Sequence, residues 1–368
     1  MKKVAFFLYS LSGGGTERVN LSLANELSEM GYLVDLVLVN KSGEFLNKVR
    51  EDIRIIDFQK FRAIECIYRL AQYLRRERPT VLFTALPTLN IIGISANIIA
   101  GFKTNVIPTE HMPVSIDERE THKIEPKIAY KLYPLFYKFV KNIVVNCEDS
   151  AKDFTKRYKW INKKKIKIIY NPVVSNELLE MAQETPEIDW FKEPIINPII
   201  LGVGRLTKQK NFHLLVEAFA KLRAKYNCRL VILGNGEDYG SLKDLAKNLG
   251  IEKDFLMPGF KENPYSYMTR ASVFVLSSIY ETLPTVLIEA LACGTPVVAT
   301  DCFGVREILQ NGEYGIIVNN PTAVEIAFTI KEVLDSNSDK ARLIERAKFF
   351  GIQEAAKKYS MLIEEVTS

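Results

Sequence analysis

Residues 4–18 read Val4-Ala5-Phe6-Phe7-Leu8-Tyr9-Ser10-Leu11-Ser12-Gly13-Gly14-Gly15-Thr16-Glu17-Arg18. Val4 to Ser10 is an almost continuous apolar run, the length of a strand buried on both faces. Glycines stop it, and Glu17 to Met30 then carries Val19, Leu21, Leu23, Ala24 and Leu27 mostly along one helical face. Leu33 to Val39 is the next strand. Ile64 to Arg76 follows as a helix, Val81 to Leu86 as a strand after the helix-stopping Arg78-Pro79, and Asn105 to Pro108 and Asn142 to Asn146 as further strands. Such alternation with short connections predicts a mostly parallel sheet covered on both faces.

The pattern breaks from Asn171-Pro172 to Pro198, where four prolines cluster among acidic and polar residues. It restarts with strand Ile199 to Val203, a helix from about Asn211 to Tyr226, strand Arg229 to Leu233, a turn at Gly234-Asn235-Gly236 and helix Asp238 to Leu249. Strands Phe255 to Met257 and Ser272 to Leu276, helix Pro284 to Cys293 and strand Pro296 to Thr300 complete a second set. The expected class is α/β with two Rossmann-like domains: residues 1–172, a linker at 173–198, residues 199–345, and a helical tail at 346–368 returning toward the first domain. A length of 368 residues suits two domains, since single cores stop growing below about 300 residues.

Apolar residues make up 47% of the chain and charged residues 25%, which excludes a disordered scaffold. The formal charge of +5 comes with no zinc-ligand, homeodomain or RNP-type signature, so nucleic acid is not an expected partner. Five scattered cysteines, with no C-x-x-C, read as reduced thiols of a cytoplasmic protein. Lys2-Lys3 before the first apolar run imitates a signal peptide, but cleavage there would destroy the glycine loop. No stretch has the roughly 18 uncharged apolar residues of a spanning helix.

The loop Gly13-Gly14-Gly15-Thr16-Glu17-Arg18 opens a helix, where free N–H groups and the helix dipole favour an anion. The dinucleotide fingerprint would need glycine at position 18, which is Arg, and the P-loop pattern is absent. The loop alone leaves a ligand site and a tight structural turn both open. In the second half, Gly202-Val203-Gly204-Arg205-Leu206-Thr207-Lys208-Gln209-Lys210-Asn211 puts Arg205 and Lys210 at the carboxyl edge of a sheet. Fixed cations there suit a diphosphate, the competing reading being a solvated basic turn. Glu281 to Glu289 then spans a loop and a helix, with Pro284 at a first-turn position that tolerates proline. Glu289 falls on or near the buried side and needs a partner, which a ribose diol or a protein group could supply.

Together with Glu110-His111, these segments resemble, in order and across nearly the whole chain, the retaining glycosyltransferases of family 4, also called group 1, with the GT-B fold. The resemblance implies two Rossmann-like domains facing each other across a cleft. It implies transfer of a hexose or N-acetylhexosamine from a nucleotide diphosphate sugar, UDP preferred, to a hydroxyl of a glycan acceptor in bacterial surface polysaccharide assembly. Arg205 and Lys210 would neutralise the diphosphate, Glu281 would contact the donor sugar, and Thr282, Leu283, Pro284 and Thr285 would hold phosphate through backbone amides. Glu289 would bind the ribose, Gly259 and Phe260 would frame the base, and Gly14 and Gly15 would approach the donor from the other wall. Gly13, Glu17, Glu110 and His111 would lie on the acceptor side, with His111 in the active site beside Glu281, Arg205 and Lys210. The chain departs from the family at Thr282-Leu283, where Gly-Phe is common, which matters if position 282 needs a positive φ.

Neither a D-x-D nor zinc-ligand spacing occurs, so no metal and no cofactor are expected, the nucleotide sugar being a substrate. Lys123, Lys127, Lys131, Lys138 and Lys141 are interleaved with apolar residues between His122 and Val145, and at 100° per residue they share about one quarter of a helix. This reads either as a basic face for anionic lipid on the inner side of the cell membrane, with a lipid-linked acceptor, or as the solvated face of a core-packed helix. Two rival functions are a Rossmann-type oxidoreductase and a catalytically silent sugar-nucleotide binder.

Overall fold

A computed structural model describes residues 1–12, 14–121, 123–192 and 197–366, the side chain of Glu120 apart. In chain order the first elements are β1 (Lys3–Leu8), α1 (Gly15–Glu29), β2 (Leu33–Leu38), β3 (Arg54–Asp57), α2 (Ile67–Glu77), β4 (Val81–Ala85) and α3 (Pro87–Ala100). They continue with β5 (Asn105–Glu110), α4 (Val114–Glu120), α5 (Ile124–Phe136), β6 (Ile143–Val145), α6 (Glu148–Arg157) and β7 (Ile166–Ile168). After α7 (Asn176–Met181) come β8 (Ile199–Val203), α8 (Phe212–Arg223), β9 (Arg229–Leu233), α9 (Tyr239–Asn248), β10 (Phe255–Leu256), α10 (Tyr265–Met268) and β11 (Val273–Leu276). The last are α11 (Thr285–Ala292), β12 (Val297–Thr300), α12 (Val305–Ile308), β13 (Ile316–Val318), α13 (Ala323–Asp335), α14 (Lys340–Lys348) and α15 (Ile352–Glu365).

Two compact units result: Met1–Pro172 with Ile352–Ser368, and Val173–Gly351. The first unit holds a seven-stranded sheet in the order β3-β2-β1-β4-β5-β6-β7. All its pairings are parallel. Residues Val4 to Leu8 are almost wholly inaccessible, so the opening apolar run is the sheet's centre. One face is covered by α2, α3, α5 and the short turn after α5 through Leu70, Leu74, Leu89, Ile92, Tyr133 and Tyr137. The other is covered by α1 and by α15, whose Tyr359 meets the Phe83 ring edge-on at 5.1 Å and whose Leu362 and Ile363 are buried. The return of the chain end is fastened at the rim by Tyr32 with Ser360 (2.7 Å) and Lys167 with Glu365 (2.7 Å).

The second unit holds a six-stranded sheet in the order β10-β9-β8-β11-β12-β13, again parallel throughout. Its core packs Phe212, Leu215 and Phe219 of α8 and Ile330 of α13 against Ile200, Ile232 and Val275. Of the stretch read as a linker, Leu178 and Phe191 are buried in this unit. Val174 bridges Gly351 there, at the point where the chain leaves for α15.

In each sheet the strand order reverses beside the first strand of its unit, between β1 and β4 and between β8 and β11. At such points the connections leave in opposite directions and open a crevice at the carboxyl ends of the strands.

Candidate functional site

In the second unit that crevice is built from the loops after β8 and β11. Lys210 Nζ lies 2.6 Å from Glu281 Oε1, with side chains only 16% and 10% exposed. Ser278 Oγ donates to the same carboxylate oxygen at 2.7 Å. Ser277 Oγ donates to the Lys210 carbonyl (2.8 Å), Gln209 Nε2 to the Tyr280 carbonyl (3.0 Å) and Ile279 N to the Gln209 carbonyl (2.8 Å). The two loops are therefore locked together, and the charge pair is held by the frame rather than by chance rotamers. A desolvated pair interacts far more strongly than a surface pair, and its electrostatics are fixed before any ligand arrives.

Arg205 lies on the same β8 loop, exposed, its carbonyl accepting from Thr207 N at 2.9 Å and its side chain making no hydrogen bond or ion pair among the described residues. Its loop rests on the 234–238 turn, with Leu206 N donating to Asn235 O (2.9 Å) and Asp238 N to Leu206 O (3.0 Å). The contact is backbone on backbone. A Cβ on Gly234 would stand 1.9 Å from the Gly204 oxygen, and one on Gly236 would stand 2.2 Å from the Leu206 oxygen. Gly234, Gly236, Gln209, Ser277 and Ser278 are site-building residues that sequence reasoning missed. The signal for the first two was the Gly234-Asn235-Gly236 turn itself, and nothing marked the two serines except their place after β11.

Beyond the charge pair, Leu283 and Pro284 are buried and Thr285 starts α11, so the backbone of 282–285 leads directly into a helix N-terminus. Thr282 is not among the residues with positive φ, so its side chain needs no left-handed backbone. Gly304 takes that role instead, at φ +79, its Cα lying against Thr282 O and Leu283 Cα so closely that a Cβ would come within 2.9 and 3.1 Å. Glu289 is half-buried near the end of α11; burial pushes the nearby Cys293 thiol up to about 12, and the Glu289 charge adds to that shift. Gly259, at φ +86, accepts from Gly234 N at 2.9 Å, and the Phe260 ring beside it is 67% exposed.

In the first unit, Gly14 caps α1 without side-chain help and Gly15 is open, while Gly13 lies outside the described residues. Glu17 folds back over this loop: a Cβ on Gly14 would stand 2.1 Å from its Oε2. The helix terminus thus carries its own carboxylate where a phosphate was expected, and a phosphate there would have to displace it.

Glu110 faces inward. It is 4% exposed, and its Oε1 accepts from Tyr133 Oη (2.9 Å), Asn90 Nδ2 (3.0 Å) and Tyr137 Oη. Asn90 Oδ1 in turn accepts from Thr84 Oγ1 at 2.7 Å. Burial pushes the Glu110 carboxyl up to about 7, against the opposing pull of Tyr137, Tyr133 and Asn90. Glu110, expected on the acceptor side, thus sits in a buried polar cluster beneath the strand end. His111 is half-buried beside it, and burial holds its imidazole down at about 4. Its Nε2 lies 3.2 Å from Thr109 Oγ1 and its carbonyl accepts from Asn146 Nδ2 at 2.9 Å. His213 bonds Ser241 (3.0 Å) in the second unit, and His122 lies outside the described residues.

The lysine-rich segment is α5 with a short turn after it. Ala129, Tyr130, Tyr133 and Tyr137 point into the core. Lys123, Lys127, Lys131, Lys138 and Lys141 are exposed, and so are Ile124, Ile128, Leu135 and Phe139 among them. Phe139 meets Phe102, itself exposed, at 5.9 Å between centroids. Among the described residues no helix is long and apolar enough to cross a membrane, and no three His, Cys, Asp or Glu side chains gather as a metal site.

Two all-parallel sheets of this order, with a buried ion pair at the switch point of the second, place the chain among α/β proteins built from two Rossmann-like units. The model of the glycosyl transferases group 1 family matches residues 188–349, and that of glycosyltransferase family 4 matches residues 13–177. The chain is 31% identical over 363 residues to the N-acetylgalactosamine-N,N'-diacetylbacillosaminyl-diphospho-undecaprenol 4-alpha-N-acetylgalactosaminyltransferase of Campylobacter jejuni, covering 95% of this chain and 94% of that one. It is 28% identical to the lipopolysaccharide core biosynthesis glycosyltransferase LpsE of Rhizobium meliloti, over 94% and 92% of the two chains. Among solved GT-B structures, Anabaena Alr3699/HepE in complex with UDP superposes with a TM-score of 0.77 at 18% identity, over 99% of this chain and 100% of that one. The chain belongs to the group 1 glycosyltransferases and is an enzyme, a hexosyltransferase. The oxidoreductase alternative drops out.

Proposed function

We propose that this enzyme moves a hexose or N-acetylhexosamine from a UDP-sugar, with retention of anomeric configuration, to a hydroxyl of a lipid-linked glycan, and does so without a metal ion. The observation that carries the reading is the buried Lys210–Glu281 pair at the β8/β11 switch point, with the unpaired Arg205 on the same loop. A diphosphate leaving group gains negative charge as its bond to the sugar breaks. Lys210 and Arg205 supply fixed positive charge for it, and the N–H groups at the start of α11 add donors. Glu281, anchored by Lys210 and Ser278, contacts the donor sugar, and Glu289 takes the ribose. The departing phosphate oxygen accepts the proton of the attacking hydroxyl on the same face. UDP as carrier draws on the UDP complex of the Anabaena relative, and a lipid-linked acceptor on the undecaprenol-linked substrate named for the Campylobacter enzyme.

The outer surface of α5 supports the acceptor reading, since exposed lysines interleaved with Ile128, Leu135 and Phe139 suit the headgroup region of an anionic leaflet. The enzyme then acts as a peripheral protein on that membrane. Release of the nucleoside diphosphate from a panel of UDP- and GDP-sugars in EDTA, with and without lipid-linked oligosaccharide, tests the whole. Acceptor-dependent release from one UDP-sugar is expected. Turnover that appears only with added divalent metal, or only with GDP-sugars, overturns the corresponding part. Sedimentation equal with neutral and anionic vesicles removes the membrane.

A further inference from the structure

The pairing of β11 with β12 ends at Leu276, opposite Ala299. The next residue on β12 is Thr300, which is buried, and its hydroxyl donates to the Ser278 carbonyl at 2.6 Å, with a longer contact to the Leu276 carbonyl at 3.3 Å. A side chain thus continues the attachment two residues past the last backbone pair. The stretch it holds carries the two serines of the site. Ser277 Oγ donates to the Lys210 carbonyl and Ser278 Oγ to Glu281 Oε1, so one anchored segment serves both halves of the buried ion pair. Both donors to Glu281, the ammonium of Lys210 and the hydroxyl of Ser278, fall on the same oxygen. Oε2 has no hydrogen bond among the described residues, and Lys210 Nζ spends one of its N–H groups on the pair. The pair therefore presents an open acceptor beside open cationic donors.

We propose that Thr300 is a positioning residue that acts through Ser278 and Glu281: its hydroxyl holds the Ser278 peptide where the serine keeps Glu281 engaged by one oxygen, leaving Oε2 to accept from a hydroxyl of the donor sugar. An ammonium this close to a buried carboxylate is strongly attracted and, once the serine withdraws, is free to bridge both oxygens. The carboxylate then turns its open oxygen inward. The contact felt as the sugar leaves is lost, while the cation stays in place for the diphosphate. The part played by the sugar rests on the mechanism proposed above, and the hydrogen-bonded chain from Thr300 to Glu281 does not.

Thr300→Val removes the hydroxyl at nearly constant volume. With the UDP-sugar that turns over in the release panel, kcat is expected to fall about tenfold, while titration calorimetry with UDP finds its affinity within about twofold of wild type. Thr300→Ser, which keeps the hydroxyl, is expected to restore kcat. In a Glu281→Ala background Thr300→Val is expected to cost no more than about twofold further, because the group it works through is gone. Unchanged kcat in Thr300→Val overturns the proposal. So does an equal fall in UDP affinity, or a further loss of about tenfold on top of Glu281→Ala, since either marks a general loosening of the loop after β11. Should Thr300→Val fail to fold, Ser278→Ala takes its place with the same expected and the same overturning outcomes. A Glu281→Ala enzyme with wild-type kcat removes Glu281 from the mechanism and the role of Thr300 with it, whereas loss at Glu281 with none in Thr300→Val removes Thr300 alone.

Discussion

Glu281 and Glu110 are 8% and 4% exposed, and each stands at the carboxyl edge of a parallel sheet, yet they are housed in opposite ways. Glu281 has a cation at 2.6 Å and a serine hydroxyl at 2.7 Å on the same oxygen. Glu110 has two tyrosine hydroxyls and an amide, all neutral, and burial pushes its carboxyl toward protonation. The second unit thus keeps charge inside its crevice and the first removes it. The same fold houses two buried carboxylates so differently because the place of the crevice is topological, while the electrostatics belong to the loops.

The comparison breaks most easily at its charged end. Glu281→Ala is expected to lower turnover on the order of 10²-fold or more, with a smaller effect on UDP affinity, because its contact is felt as the sugar leaves. Isothermal titration with UDP beside steady-state kinetics separates the two. Equal losses in affinity and turnover would make Glu281 a binding residue only. Glu110→Gln, which keeps an oxygen for the tyrosines, is expected to hold turnover within about threefold. A loss there as large as at Glu281 would mean that Glu110 carries charge in the reaction, and the contrast between the units would collapse.

The sequence disclosed the middle of both sheets better than their edges. β1, β4, β8 and β11 are buried on both faces and read as unbroken apolar runs, so each was legible. β3 (Arg-Ile-Ile-Asp) and β7 (Ile-Lys-Ile) are short, half-exposed edge strands whose polar residues hid them, and β13 (Ile-Ile-Val) is an edge strand of only three residues. α3 was missed for the reverse reason. It is buried almost all round, so its Ile91, Ile92, Ile94 and Ala96 show no helical stripe, although Pro87 at its start and Gly101 at φ +79 at its end are ordinary boundary signals. Among the candidate site residues, Lys210 and Glu281 stood out in the sequence as ionisable groups in loops at a sheet edge, and His111 only through the family resemblance. Ser278, Thr109 and Asn90 did not, since small polar side chains acquire meaning only from the partner that the fold brings to them.

The smallest expected effect is the most specific. For Glu110 the native pKa of about 7 lies above the ordinary 4.5, so between those values the folded chain holds the extra proton. Its contribution to stability is complete below the lower value and is lost as pH rises through 7. For His111 the native pKa of about 4 lies below the ordinary 6.5, so the unfolded chain holds the extra proton, and that contribution is complete above 6.5 and lost as pH falls. Between pH 4.5 and 6.5 the two slopes have opposite sign, each at most about 1.4 kcal/mol per pH unit, and they largely cancel. Urea unfolding across this window should therefore show little net slope from the pair. Glu110→Gln exposes the histidine, and stability should rise with pH. His111→Gln exposes the glutamate, and stability should fall with pH. Variants that both run parallel to the wild type would show that neither group is held in its disfavoured protonation state. The first unit would then be no more stripped of charge than the second.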